Sequence, residues 1–338
     1  MGFVDAVDRT QRRRSFLGIP IGVFFKFVDD QGPYLAAIVS FYATLAVFPI
    51  LLLATSIFGF VLQGNPDLQE QVLDSTLATF PIIGEELGQP DGLQGSTTGV
   101  IVGALAATYG SLGLGQALQN ALNVAWSVPR NNRPNPIALR LKSLLLLVTS
   151  GAFVVAITTV TIVGAEVFGD SMAIRWLIRL ANVVLVGLLL TVVFRIAAAR
   201  RHHLGRAAPG AFTVAVLWLL LQEVGQIYTK QVLAGTRDMD AAFGLVLGLI
   251  GIIYISAFMG VIGIEVNVVL ARKLWPRSIR TLFVDRPDLT DADRRAYASY
   301  AQAQRHKTSV EVQVGFKDPD TGELLIPQEP GRNNRKSE

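Results

Sequence analysis

Cysteine is absent from the 338 residues. Disulfides, thiolate nucleophiles and Cys-ligated metals are thereby excluded. Charge is scarce as well: Asp, Glu, Lys and Arg make up 17% of the chain, against roughly 25% in soluble domains. The shortage is uneven, because long central stretches carry almost no charge, while 51% of residues are hydrophobic and the mean hydropathy is +0.44. That composition argues against an ordinary soluble α/β enzyme and against a disordered chain. Three histidines, His202, His203 and His306, leave little for a His-based metal centre, so neither metal nor cofactor is expected. No GxxxxGK[ST] loop occurs, which argues against ATP-driven transport by this chain alone. No Ser/His/Asp set or paired carboxylates stand in register, and no enzymatic activity is expected.

What the sequence does have is long apolar runs. A bilayer core of about 30 Å needs about 20 mostly apolar residues in a helix. Six stretches qualify: Tyr34–Leu62, Gly99–Leu114, Leu144–Phe168, Trp176–Phe194, Ala207–Leu233 and Ala241–Leu270. Backbone groups in lipid must be bonded internally, and these runs are too long for barrel strands, so all six read as helices. The first thirty residues lack the short apolar core and small-residue cleavage site of a secretory signal.

The loops orient these spans. The connection 63–98 has no Lys or Arg but carries Asp67, Glu70, Asp74, Glu85, Glu86 and Asp91. On the other side lie Arg9, Arg12, Arg13, Arg14 and Lys26, then Arg130, Arg133, Arg140 and Lys142, then Arg195, Arg200, Arg201 and Arg206, and finally Arg272, Lys273, Arg277 and Arg280. Only Arg175, Arg179, Lys230 and Arg237 fall opposite them. Cytoplasmic loops collect Lys and Arg, which predicts both termini inside. The expected organisation is an all-α, polytopic membrane protein: a basic cytoplasmic segment over 1–30, a six-helix transmembrane domain over 31–275 with an external acidic segment at 63–98, and a polar cytoplasmic tail over 276–338. The isoelectric point near 9.4 then reflects contact with anionic headgroups at the cytoplasmic face, at about 1 kcal/mol per basic residue. Nucleic acid is not an expected partner, since no basic face interleaved with aromatics stands on a folded domain.

Four motifs in order add a resemblance. Ala37, Ser40, Phe41, Tyr42, Phe48 and Pro49 lie in the first span. Tyr109, Gly110, Ser111, Gly113, Ala121, Leu122, Asn123 and Trp126 follow in and after the second. Pro209 and Gly210 open the fifth, with Trp218 beyond, and Gly263, Glu265 and Asn267 close the sixth. Over roughly residues 20–280 the chain resembles the YihY/BrkB family of bacterial inner-membrane proteins. The resemblance implies a multi-pass protein of the bacterial plasma membrane and supplies no established reaction. Some members carry a tRNA-processing nuclease label, but this chain lacks the clustered His/Asp set that such metal chemistry requires.

Charged and polar residues inside the spans are the candidate site. An acid at mid-bilayer costs roughly 2.5–3.5 kcal/mol on insertion scales and faces a bundle interior or water. Glu223 lies past the middle of the fifth span, and Gln222, Gln226, Thr229 and Lys230 share its helical neighbourhood. They form either a cavity wall with a proton-coupled carboxylate, or a structural Glu bonded to a neighbouring helix with Lys230 as a loose partner. Tyr109, Gly110 and Gly113 belong to a glycine-rich stretch that allows a kink, a break or close packing. Gln116, Gln119, Asn120 and Asn123 beyond it line a vestibule or form the wet side of a helix leaving the membrane, with Trp126 as interfacial anchor. Pro49 removes a backbone bond and exposes carbonyls to a cavity. Glu265 and Asn267, near the inner interface, have a structural or gating role, Glu265 reaching water or pairing with a base. Gly244, Gly248 and Gly251 are expected to pack against another helix.

Leu68, Val72, Leu73 and Leu77 suggest a short external amphipathic helix, and Val310–Phe316 followed by Leu324–Ile326 a small hairpin. The expected function is transport or lipid handling through a polar intramembrane cavity, with a lipid or envelope precursor as substrate and a homo-oligomer as an open possibility. The alternative is a non-transporting scaffold for envelope partners.

Overall fold

The computed structural model describes residues 8–12, 15–62, 97–168, 171–199, 203–232, 238–282, 284, 288–317, 322 and 324–325. Residues 63–96 of the expected external segment, with its amphipathic helix, and the end of the tail lie outside the described residues. Among the described residues the regular structure is helical, apart from one minimal hairpin. Helix α1 (Ser15–Asp29) precedes six long helices: α2 (Gly32–Leu62), α3 (Thr97–Ala125), α4 (Pro136–Phe168), α5 (Met172–Ala197), α6 (Leu204–Val232) and α7 (Asp238–Arg272). Helix α8 (Asp291–Ala303) follows, then β1 (Phe316–Lys317) paired antiparallel with β2 (Leu324–Leu325). That hairpin is where the alternating tail pattern put it, but Val310–Gly315 form no strand.

Among the described residues, five helices are long and apolar enough to cross a membrane: Thr97–Ala125, Pro136–Phe153, Met172–Ala197, Leu204–Glu223 and Leu247–Arg272. Gly32–Val47 adds a shorter apolar helix. Their outward side chains are the signature of that environment. Leu105, Val148, Leu177, Leu180 and Leu247 are all well exposed, whereas a soluble surface rarely presents contiguous apolar area on this scale.

The helices close into a ring. Each of α2 to α7 packs on its neighbours in sequence, and α7 returns to α2. Helix α3 leans inward to touch both α5 and α7, and α1 lies against α7. The close approaches use glycine. A Cβ on Gly110 would sit 2.8 Å from the Ala46 backbone of α2, and one on Gly115 would sit 2.6 Å from the Ser143 side chain of α4.

The described core is concentrated at the end bearing α1 and α8, here called the basic end. Phe27, Ala36, Leu122, Trp126, Phe194, Ala211, Ile264, Val268, Leu274 and Ala296 form one buried cluster there. Two helices end there alike. Ser127 and Lys273 adopt positive φ, and the N–H groups of Val128 and Leu274 donate back to the Asn123 and Val269 carbonyls at 2.8 and 3.1 Å. This left-handed closure satisfies carbonyls that a helix end would otherwise leave open.

Candidate functional site

Glu223 bonds to a neighbouring helix, one of its two expected settings, but through Arg179, a partner that the sequence did not point to. Its Oε1 lies 2.9 Å from Nη1 of Arg179 on α5, and both side chains stay open, at 41% and 37% exposure. The Arg179 guanidinium lies 5.2 Å over the Trp176 ring. At 1.5 Å per residue, Arg179 is roughly 10 Å from the start of α5 and Glu223 roughly 14 Å from the end of α6. The charges thus sit within the helices, towards the end opposite the basic one. Lys230, the expected partner, and Gln226 lie outside the described side chains. Gln222 is exposed beside Glu223.

The glycine-rich stretch is not broken. Helix α3 runs continuously from Thr97 to Ala125, because its glycines are filled by neighbours: Gly110 by Ala46, Gly113 by the Tyr42 ring and Gly115 by Ser143. Of the kink, break and close packing that these glycines allow, close packing within an unbroken helix is found. Tyr109 continues an exposed apolar stripe with Ile101 and Leu105, at 79% exposure. Pro49 lies inside α2, which continues through it. Of the polar face beyond the glycines, Gln119 and Asn123 turn inward, while Gln116 is exposed and Asn120 half-buried. Gln119 is buried and donates to the Leu139 carbonyl (3.1 Å) and Ser143 Oγ (3.0 Å) of α4, and Asn123 is buried too. Trp126 is likewise buried, beneath the Arg272 guanidinium, instead of standing free as an interfacial anchor. Gly248 and Gly251 meet nothing within 4 Å, so the packing expected of them is not made within the described chain.

Glu265 and Asn267 brace the basic end. Asn267 Oδ1 accepts the Gly210 N–H at 2.7 Å, just after Pro209, which has no N–H of its own. Gly210 and Gly263 approach so closely that no Cβ fits at either. These motif residues lock α6 to α7. Glu265 is fully buried and lies 3.6 Å from the Lys26 ammonium of α1, which also pairs with Asp30. Of the two expectations for Glu265, a basic partner is found and contact with water is not. One lysine thus serves two buried carboxylates, with the Tyr300 ring 5.0 Å from its nitrogen. Burial pushes the Asp30 carboxyl above its ordinary value, although Lys26 pulls it down. Burial and the Asp30 and Asp29 charges likewise raise the Tyr300 phenol.

A second charged clamp adjoins the first. Arg277, fully buried, is paired with Asp293 of α8 and, at 2.9 Å, with Asp29 of α1. It lies between the Phe25 and Tyr297 rings at 5.6 and 5.4 Å. Burial alone would lower this guanidinium, but Asp29 and Asp293 outweigh it and hold it above its ordinary value. Asp293 also accepts the Ser278 N–H and completes a capping box with Thr290. The sequence reading missed this clamp, having treated residues 1–30 and 276–338 as polar appendages. The available signal was the apolar Phe-rich run of α1 around a lone Lys26, and the Thr290–Asp293 cap ahead of α8.

Residues 23–280 match the protein family described as virulence factor BrkB. No curated protein and no solved structure matches the chain.

Proposed function

The chain belongs to the virulence factor BrkB family, and we propose that it moves a lipid or envelope precursor past a water-accessible charged site within its membrane-spanning helices, without catalysing a reaction. In this proposal six helices span the bacterial plasma membrane, with the basic end and both termini cytoplasmic. The distribution of Lys and Arg among the loops supports that orientation. The single observation that carries the function is the Arg179–Glu223 pair, whose side chains stay more than one-third exposed inside helices α5 and α6. Lipid tails are a costly medium for such charges, which face water or a polar partner. A half-open pair offers an acceptor and a donor to a passing zwitterionic or anionic group.

Two measurements test this. Glu223→Cys, in a chain with no other cysteine, is expected to react with a membrane-impermeant thiol reagent. In reconstituted vesicles, the protein is expected to speed the movement of a fluorescent phospholipid between leaflets. Glu223→Gln and Arg179→Gln each reduce that rate at least tenfold, and the double exchange Arg179→Glu with Glu223→Arg restores part of it. An unreactive Glu223→Cys, with lipid movement no faster than in protein-free vesicles, overturns the proposal. The scaffold reading then takes its place. It is favoured by the folded polar surface that Arg277, Asp29 and Asp293 hold on the basic end.

A further inference from the structure

A groove of about 850 Å³ opens on the basic end, outside both charged clusters described above. It is bounded by the end of α3, the start of α6, the end of α7 and the segment following α8. Each of the last three contributes one guanidinium: Arg206, Arg272 and Arg305. One carboxylate, that of Glu311, shares the described lining. Asp30 attracts Arg272 but is itself held by Lys26.

Two of the three guanidinium groups are set in place by the fold. Arg272 donates to the Trp126 carbonyl and lies over the Trp126 ring. Arg305 Nε donates to Asn131 Oδ1 at 3.4 Å, and the Asn131 N–H returns a bond to the Arg305 carbonyl at 3.2 Å. Arg206, in the first turn of α6, is exposed. The amide side chains of Gln302 and Asn132 add further donors to the lining.

We propose that this groove binds a phosphate group, gripped between the guanidinium groups of Arg206, Arg272 and Arg305. The chemistry follows from the count and kind of the charges that line the groove. Three guanidinium groups and one carboxylate in the described lining leave a surplus that a multiply charged, multi-oxygen anion matches. The planar fork of Arg pairs with phosphate oxygens two at a time. The volume lies within the range of small-molecule sites, about 300–1,000 Å³. The phosphate has two possible sources. A phospholipid would present it from the adjacent bilayer surface, where basic pockets between helices take headgroups. A soluble phosphate compound would present it from the aqueous side.

The test uses the full chain in detergent, titrated with two probes: inorganic phosphate, and dihexanoyl phosphatidylglycerol with dihexanoyl glycerol as its phosphate-free counterpart. At least one phosphate-bearing probe is expected to bind with sub-millimolar Kd, and dihexanoyl glycerol to bind at least tenfold more weakly. Arg206→Gln with Arg305→Gln weakens binding at least tenfold. Arg206→Gln alone, at an exposed position and with an unchanged melting temperature, weakens it measurably. Arg195→Gln, an exposed charge removed from the same end outside the groove, changes nothing. Binding of phosphatidylglycerol alone assigns the phosphate to a lipid headgroup, and binding of inorganic phosphate assigns it to a soluble compound. The proposal is overturned if neither probe binds, if both single and double groove variants bind like the wild type, or if Arg195→Gln weakens binding as much as they do. None of these outcomes bears on Glu223, so this site and the proposed transport path stand or fall separately.

Discussion

Lys26 is the residue on which the basic end depends most. Its ammonium is fully buried and serves both Asp30 and Glu265. Removing one partner from a buried ionic set leaves the others uncompensated, at a cost of about 3–5 kcal/mol. Lys26→Met is therefore expected to lower stability by that amount in chemical unfolding of the detergent-solubilised protein. Adding Asp30→Asn and Glu265→Gln to it should recover most of the loss. If the single and triple variants unfold alike, the charges are not what matters at this site. Asp30 carries its own pH signature. Burial raises its carboxyl above the ordinary 3.8, so the folded chain binds this proton more tightly than the unfolded one. Its stabilising contribution is complete below pH 3.8 and is lost as pH rises through the raised value. As pH rises above 3.8, the melting temperature of the wild type should therefore fall relative to that of Asp30→Asn. Parallel profiles for the two proteins would remove Asp30 as the source.

At the scale of helices, the glycines of α3 decide how α2, α3 and α4 meet. A Cβ on Gly110 would meet the backbone of α2 at 2.8 Å, and backbone cannot swing aside as a side chain can. Gly110→Ala is expected to cost about 1–3 kcal/mol, as overpacking does, even though alanine is the better helix former by about 1 kcal/mol. A variant at least as stable as the wild type in thermal unfolding would show that the two helices can separate freely. The sequence made the glycines visible but not their use, because a glycine that permits a break and one that permits contact look alike until the neighbouring helix is known. The same holds for Gln119 and Asn123. Their helical spacing marks a polar face, but that both are buried, Gln119 against Ser143 of α4, is fixed by a helix that comes later in the chain. Gly248 and Gly251 go the other way: their spacing promises contact, and within the described chain they meet open space.

For the molecule as a whole, orientation is the claim most directly open to measurement. Ser171, between α4 and α5, and Ser309, after α8, are both exposed and belong to opposite ends of the bundle. With no native cysteine to interfere, Ser171→Cys should react with an impermeant maleimide in intact cells. Ser309→Cys should react only after permeabilisation. The reverse pattern would invert the topology. Ser127 is unsuited to this experiment because its position is buried under the folded basic end.

Composition and hydropathy sufficed for the helical class, the long apolar helices and the crowding of basic residues at one end. Each of these follows from local properties: run length, internal backbone bonding and the solvent that each stretch can tolerate. The order of the motifs sufficed for the family. Which charges meet was decided by the tertiary structure alone. Glu223 finds Arg179 across two helices, Lys26 finds Glu265 far along the chain, and Arg277 draws α1 and α8 together. A charge in a sequence reveals its cost of burial, but its partner is fixed only when the ring of helices closes and brings distant segments within a few ångströms.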